Sequence, residues 1–290
     1  MPAPLCTAAL LATIAFMASP SWDPDQYRRY SAERSRPFHD LVGQITAVAP
    51  REVTDLGCGA GTLTATLAQR WPQAYVHGID ASPEMIREAQ PLAEPGRLGF
   101  SLGLIEEWQP EPESVDVIVS NAVLQWVPSH LDLLPVWAAA LRPGGCLAIQ
   151  MPAMGGSPAT AVFRTVAMSK RWADRMASVS LSPGPRSGAS PVRTMEEYAD
   201  VLARLGLRVN AWQTTYLHLL PGDDPVLEWF AGTGLRPYLD ALADDAEALA
   251  RFRADIAAGL RGAYPRMPYG TVMPFRRVFV VAGKDYAAGS

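Results

Sequence analysis

The chain has 290 residues, of which 49% are hydrophobic, enough for one large α/β domain with a cap inserted into it. Its net charge of −4 argues against a nucleic-acid partner, because such a partner requires a clustered basic surface. Three widely spaced cysteines, Cys6, Cys58 and Cys146, favour a reducing, cytoplasmic compartment and no metal site.

An uncharged apolar run, Leu5–Met17, stands near the start of the chain. It is too short to cross a bilayer, which takes about 20 residues, and no Lys or Arg precedes Arg28 as a secretory signal would require. We therefore predict that residues 1–21 are an apolar extension and that translation begins at Met17. A weak export signal is the alternative.

Strand and helix patterns alternate from residue 51 onward. Seven segments predict strands: Val53–Gly57, Tyr75–Asp80, Leu98–Leu102, Val115–Asn121, Cys146–Met151, Leu207–Leu219 and Val272–Ala282. Helical patterns occupy Tyr27–Val48, Leu63–Trp71, the segment after Ser82-Pro83, and Met195–Leu205 behind the capping box Thr194-x-x-Glu197. This alternation predicts a mostly parallel sheet with helices on both faces.

Two segments interrupt the alternation. Pro158–Pro191 has a helical half followed by a loop rich in glycine and proline, and Asp223–Tyr264 inserts two or three helices between the last strands. Both should lie at the carboxyl edge of the sheet, where open α/β folds bind ligands. We predict a helical lid made by insertions at about residues 155–192 and 223–266 of a domain spanning residues 22–290.

The most informative motif is Asp55-Leu-Gly-Cys-Gly-Ala-Gly61, at the end of the first predicted strand. Gly57, Gly59 and Gly61 should let the backbone approach a ligand closely, because a Cβ would block it. Asp80, at the end of the second strand, can accept hydrogen bonds from both hydroxyls of an adenosine ribose. Dinucleotide-binding folds use similar pieces, but Asp55 suits the ammonium and sulfonium of S-adenosylmethionine better than a pyrophosphate.

On these residues the chain resembles the class I S-adenosylmethionine-dependent methyltransferases. The resemblance implies a Rossmann-like seven-stranded sheet with one late strand antiparallel, S-adenosyl-L-methionine as cofactor and S-adenosyl-L-homocysteine as product. The cofactor-binding residues that it implies are Asp55, Gly57, Gly59, Asp80, Ala81, Met85, Ile105 and Asn121.

One position departs from that family. Leu104 stands where the family often has an acid that holds the adenine amino group. The backbone, Trp108, or a shifted glutamate at Glu106 or Glu107 must then take that role.

Methyl transfer is an in-line displacement that requires alignment of the reacting atoms at about 3 Å with water excluded. The segment Asn121–Trp126, just after the fourth strand, contains neither histidine nor carboxylate, although His130 follows. We therefore predict no catalytic acid or base, with Trp126 as a positioning residue. The absence of a base favours a carboxylate acceptor, which is already ionised at pH 7.

A carboxylate acceptor requires arginines and phenols to bind it. The candidate arginines are Arg34, Arg36, Arg236 and the pair Arg276-Arg277. Several segments outside the cofactor motif, including Gln150-Met-Pro152, resemble a narrower family of carboxyl methyltransferases that esterify trans-aconitate and related small polycarboxylates. That resemblance runs from about Trp22 to Lys284. The substrate-binding residues that it implies are Tyr30, Arg34, Gln125, Trp126, Tyr216, His218, Arg236 and Arg276.

Two alternatives remain open at this point. The first is a methyltransferase that acts on another small acid, a phenol or an amine. The second, from a different class, is a dinucleotide-dependent oxidoreductase or a catalytically silent cofactor-binding module. In either methyltransferase case we expect a monomer or homodimer with no membrane partner.

Overall fold

The computed structural model describes residues 31–177, residue 179 and residues 192–285. The predicted apolar extension, Tyr30 and the loop ending at Pro191 lie outside the described residues, as does the side chain of Arg34.

Eight strands form one sheet. In chain order they are β1 (Glu52–Leu56), β2 (Tyr75–Asp80), β3 (Leu98–Leu102), β4 (Val115–Asn121), β5 (Leu141–Pro152), β6 (Leu207–Leu220), β7 (Arg266–Met267) and β8 (Gly270–Lys284). Their order is β3-β2-β1-β4-β5-β8-β6, with β7 paired to β8. The first five strands pair in parallel, whereas β8 runs antiparallel to both β5 and β6.

This topology confirms the predicted sheet and corrects two details. The two-residue strand β7 was not predicted. Strand β5 begins at Leu141, before the predicted Cys146, because the chain continues pairing with β4 through a register shift. The antiparallel strand between β5 and β6 also differs from the strand order of dinucleotide-binding folds, so the sheet argues against the oxidoreductase alternative.

The helices cover both faces of the sheet and one end of it. They are α1 (Ser31–Val42), α2 (Thr62–Arg70), α3 (Pro83–Ala89), α4 (Leu134–Ala140), α5 (Pro158–Ala167), α6 (Met195–Arg204), α7 (Pro225–Ala231), α8 (Arg236–Asp240) and α9 (Ala246–Ala263). The predicted capping box at Thr194 starts α6, and Ser82 caps α3 through a 3.3 Å bond from the Met85 N–H. No helix of the described ranges is long and apolar enough to cross a membrane.

The buried residues form three clusters. One face of the sheet, represented by Val119, Ala148 and Phe279, packs against Phe38 and Leu41 of α1 and against α2. The opposite face packs against α4 and α6. A third group, here called the helical cluster (α5, α7, α8 and α9), packs around the ends of β6 and β8. The two predicted insertions are therefore next to each other in space.

The loop after β1 and the loop after β4 are in direct contact. Gly57 has a left-handed backbone with φ of 82°, and a Cβ added there would lie 2.0 Å from Cγ2 of Val123. Gly59 is also left-handed, with φ of 56°, but an added Cβ would meet nothing within 4 Å. The two glycines are thus required for different reasons.

We expect Gly57→Ala to lower the free energy of unfolding by about 2–5 kcal/mol, because overpacking adds to the strain of a left-handed backbone. Gly59→Ala should show only the backbone effect, about 1–2 kcal/mol. Urea denaturation measures both. Adding Val123→Ala should recover part of the loss at Gly57, and equal losses at the two glycines would contradict this account.

Candidate active site

Asp80 joins the glycine loop (Gly57–Gly61) to the start of α3. Its Oδ2 accepts a 2.8 Å bond from the Gly59 N–H, and its Oδ1 accepts a 2.9 Å bond from the Ser82 N–H. Burial raises the pKa of this carboxyl, while those backbone bonds oppose the shift. A carboxylate offers about four lone-pair positions, so the bonds from Gly59 and Ser82 leave room for a ribose hydroxyl to donate. The predicted role of Asp80 fits this geometry.

Asp55 lies deeper, with 3% of its surface exposed. Its Oδ2 accepts a 2.7 Å bond from the Thr64 hydroxyl of α2. Burial raises the pKa of Asp55 to about 7, the Thr64 bond lowers it, and the charge of Asp80 raises it further. A cation bound nearby would favour the ionised form and reverse much of that shift.

The glycine loop corrects one expectation. At Gly61 an added Cβ would lie 2.7 Å from the Phe100 ring and 2.8 Å from Ala89, so its missing Cβ makes room for the protein, as at Gly57. Only Gly59 faces open space. Room for a ligand therefore remains a prediction at Gly59, whereas internal packing explains the other two glycines.

The β4 loop (Ala122–Trp126) is held in a strained form. Ala122 has φ of 59°, which is rare for a residue with a Cβ. Its N–H donates to the Gln150 carbonyl at 2.8 Å, and its carbonyl accepts from Nε2 of Gln125 at 2.6 Å. Gln125, predicted to bind substrate, thus uses its amide group to fix the backbone. Trp126 ends the short 3₁₀ turn of this loop and is half-buried.

His130 is fully buried and is hydrogen-bonded to the residue that directly follows the β4 loop. Its Nδ1 lies 2.7 Å from the Val127 carbonyl, and its Nε2 lies 2.8 Å from the Tyr198 hydroxyl. A carbonyl only accepts, so Nδ1 carries the proton and Nε2 accepts from the tyrosine. Burial lowers the pKa of His130. Both ring nitrogens are engaged, so this histidine is not available as a catalytic base.

The other side of the site is formed by β5, β8 and β6. Arg277 is 5% exposed, donates from Nη1 to Oε1 of Gln150 at 3.1 Å, and lies 4.8 Å from the Phe275 ring centroid. His218 is buried and stacks on Trp229, with ring centroids 4.6 Å apart. The cation of Arg277, the imidazole of His218 and the amide of Gln150 thus lie on strands β8, β6 and β5. Strand β4 separates them from β1 and β2, which carry Asp55 and Asp80.

Tyr216 is placed differently from its predicted role as a neutral donor to the substrate. Its hydroxyl donates to Oδ2 of Asp40 in α1 at 2.6 Å. Burial raises the pKa of Tyr216, and the bond to Asp40 and the Asp40 charge raise it further. The phenol proton is therefore used to fix α1 against β6.

Two further arginines that were predicted to bind the substrate, Arg276 and Arg236, contact backbone carbonyls and a carboxylate. Arg276 is exposed and donates to the carbonyls of Ala153 and Gly155 at 3.1 and 2.8 Å. Arg236 pairs with Asp240, one turn later in α8, at 2.8 Å. The role of Arg276 in substrate binding stays a prediction, but Arg276 and Arg277 point to opposite sides of β8, because alternate strand residues face opposite ways, and it is Arg277 that is buried. Arg277 shares its face with Phe275 and Phe279, and that alternation was visible in the sequence.

The last predicted cofactor positions lie beside β2 and β3. Ala81 is exposed, whereas Met85 and Ile105 are buried. Leu104 is 38% exposed, with Glu106 and Glu107 exposed next to it and Trp108 packed on the core. The structure brings these residues to the same sheet edge as Asp80, because the Gly103 N–H donates to the Asp80 carbonyl at 2.9 Å.

Two of the buried polar atoms that lack a hydrogen-bond partner in the described part of the chain lie on the neighbouring strands β4 and β5. They are Oδ1 of Asn121, an acceptor, and Nε2 of Gln150, a donor. The two residues are directly paired across β4 and β5. A buried group without a partner costs about 1–3 kcal/mol, so both atoms are candidates for hydrogen bonds to a ligand. Sequence analysis predicted Asn121 but missed Gln150.

Comparison with known proteins agrees with this geometry. A methyltransferase domain model matches residues 53–145. The trans-aconitate 2-methyltransferase of Streptomyces avermitilis is 47% identical, over 92% of this chain and 98% of that protein. The protein of the same name from Streptomyces coelicolor is 45% identical, over 93% of this chain and 89% of that protein.

Among solved structures, the YcgJ protein of Bacillus subtilis has a TM-score of 0.55 at 13% identity, covering 86% of this chain and all of that one. That likeness concerns the fold alone. The relatives are similar over nearly their whole length, which covers both the cofactor motif and the helical cluster. The chain therefore belongs to the trans-aconitate 2-methyltransferase family of class I S-adenosylmethionine-dependent methyltransferases.

Proposed function

We propose that this chain transfers the methyl group of S-adenosyl-L-methionine to a carboxylate of trans-aconitate or a related small polycarboxylate. The products are a monomethyl ester and S-adenosyl-L-homocysteine. The observation that carries the proposal is 45–47% identity, over more than nine-tenths of the chain, to relatives named for this reaction. The separation of acidic from donor groups along the sheet supports it.

The cofactor supplies an electrophilic methyl group on a positively charged sulfur. Asp80 has lone pairs left for ribose hydroxyls, and Asp55 and Oδ1 of Asn121 offer acceptors for the positive methionine portion. Gly59 is the loop residue without a close neighbour on its Cβ side. These groups lie at the carboxyl ends of β1, β2 and β4, the usual ligand edge of an open α/β sheet.

Alignment and exclusion of water carry the reaction, because a carboxylate acceptor is ionised at pH 7 and requires no base. His130 is committed to the Val127 carbonyl and to Tyr198, in keeping with such a mechanism. Arg277, Gln150 and His218 supply the buried polar surface for an anion. We propose that the helical cluster closes over this surface as the lid.

The setting that we propose is the cytoplasm. Cys58 and Cys146 are free, buried thiols, which suits a reducing compartment. The groups named above come from a single chain, so the mechanism is compatible with either a monomer or a homodimer.

Incubation with a labelled methyl donor and a panel of small acids tests the function. We expect a monomethyl ester of trans-aconitate, identified by mass spectrometry, and weaker labelling of monocarboxylates of the same size, which lack a second anion. Methylation of a phenol or amine with no polycarboxylate labelled would establish the alternative acceptor class instead.

The pKa of Asp55 gives a second test. Below pH 7 this carboxyl is mostly protonated and cannot offset a positive ligand, so affinity for S-adenosylmethionine should increase by about tenfold in all between pH 6 and pH 8. Isothermal titration calorimetry measures the affinity and the protons released on binding.

Asp55→Asn is the control for that experiment, because the amide does not titrate. The variant should bind more weakly at pH 8 and show only the pH dependence of the ligand's own amino group. S-adenosylhomocysteine, with one positive charge fewer, should show a smaller slope. A wild-type affinity that matches the variant at every pH would exclude a charge role for Asp55.

A further inference from the structure

Gln150 is fully buried at the carboxyl end of β5, and its Nε2 has no hydrogen-bond partner in the described part of the chain. We infer that this amide donates to the substrate carboxylate that becomes methylated, through the oxygen that does not attack. This inference rests on the proposed function and names a binding residue within it.

The orientation of the amide is determined by Arg277. A guanidinium has donors only, so the group of Gln150 that faces it at 3.1 Å must be the oxygen. The amide nitrogen is then directed to the other side, where it can only donate. The arrangement selects an acceptor on the ligand, and a carboxylate oxygen is such an acceptor.

The position of Gln150 is between the two halves of the site. On β4 its direct neighbour is Asn121, which belongs to the cofactor side, and on β8 its direct neighbour is Phe279, two residues from Arg277. All three strands present these residues on the sheet face that packs against α1. A donor at this point can hold an anion next to the cofactor with water excluded.

A neutral donor suits the charge change of the reaction. One carboxylate oxygen forms a bond to the methyl carbon while the carbon–sulfur bond breaks and its electron pair stays on sulfur. No proton moves, the negative and positive charges both disappear, and the second oxygen becomes the ester carbonyl. An amide N–H can donate to that oxygen before and after transfer. A guanidinium paired directly with it would stabilise the charged ground state more than the transition state.

Gln150→Glu is the sharpest variant, because the carboxylate keeps the shape and still accepts from Arg277 while the donor is replaced by an acceptor. We expect kcat/KM for trans-aconitate to fall at least 100-fold and calorimetric binding of trans-aconitate to the S-adenosylhomocysteine complex to be lost. The affinity for S-adenosylhomocysteine itself should change less than threefold. Gln213→Glu, the same change at an exposed position of β6, is the matched control and should behave like the wild type.

Arg277 acts here as a positioning residue, through the amide. Arg277→Met should lower kcat/KM about tenfold or more, and Arg277→Lys should restore most of it, because an ammonium also donates to the amide oxygen. Circular dichroism and thermal unfolding verify that each variant is folded. Gln150→Met provides a second test of the donor, and it should lose trans-aconitate binding as well.

The outcomes separate this inference from the proposed function. If the wild-type enzyme esterifies trans-aconitate and both Gln150→Glu and Gln150→Met keep a kcat/KM within threefold of the wild-type value, the inference is overturned and the proposed function stands. A parallel loss of S-adenosylhomocysteine binding would assign Gln150 to the cofactor and also overturn it. A wild-type enzyme that esterifies no polycarboxylate would overturn both.

Discussion

The separation of opposite charges along one edge of the sheet is the constraint on which the rest of this structure depends. The reaction brings the substrate carboxylate and the cofactor sulfonium together and leaves two neutral groups. Until they align, protein groups of opposite charge must not bind either of them in place of its reaction partner. Asp55 and Asp80 stand at the ends of β1 and β2, and Arg277 stands on β8. The strand order places β4 and β5 between them. Asn121 and Gln150, one on each of those strands, form the boundary.

Rigid support for that boundary comes from the backbone. Ala122 adopts a left-handed conformation that costs about 1–2 kcal/mol, and hydrogen bonds to Gln150 and Gln125 on its two sides hold it there. Val123 fills the space that Gly57 leaves vacant. His130, through Tyr198, ties the following turn to α6. The β4 loop therefore has several independent attachments, which keeps the groups at its base in one geometry.

The elements that the sequence predicted well are those with local signals. Glycines in a strand-to-helix turn, an acid at the end of a buried run, and a capping box are each recognisable within a few residues, and each lies where it was expected. The bounds of β5 were less accurate, because a register shift, not the local Pro-Gly-Gly segment, decides where pairing with β4 begins. The position of the glycine motif was predicted correctly, but the reason for two of its glycines was not. The side chains that leave no room for a Cβ at Gly57 and Gly61 come from distant segments.

The sequence by itself determined the fold class, the cofactor motif and the family, because periodicity, turn residues and motif spacing are properties of neighbouring residues. Tertiary structure alone decided which polar side chains meet. Arg277 and Gln150 are 127 residues apart, and Tyr216 and Asp40 are 176 residues apart, so no local pattern relates them. The pairing of β5 with β8 brings the first two together, and the amide nitrogen of Gln150 has no hydrogen-bond partner in the described part of the chain. Burial, which fixes the pKa of Asp55 and makes that unsatisfied donor costly, arises only when the distant segments pack.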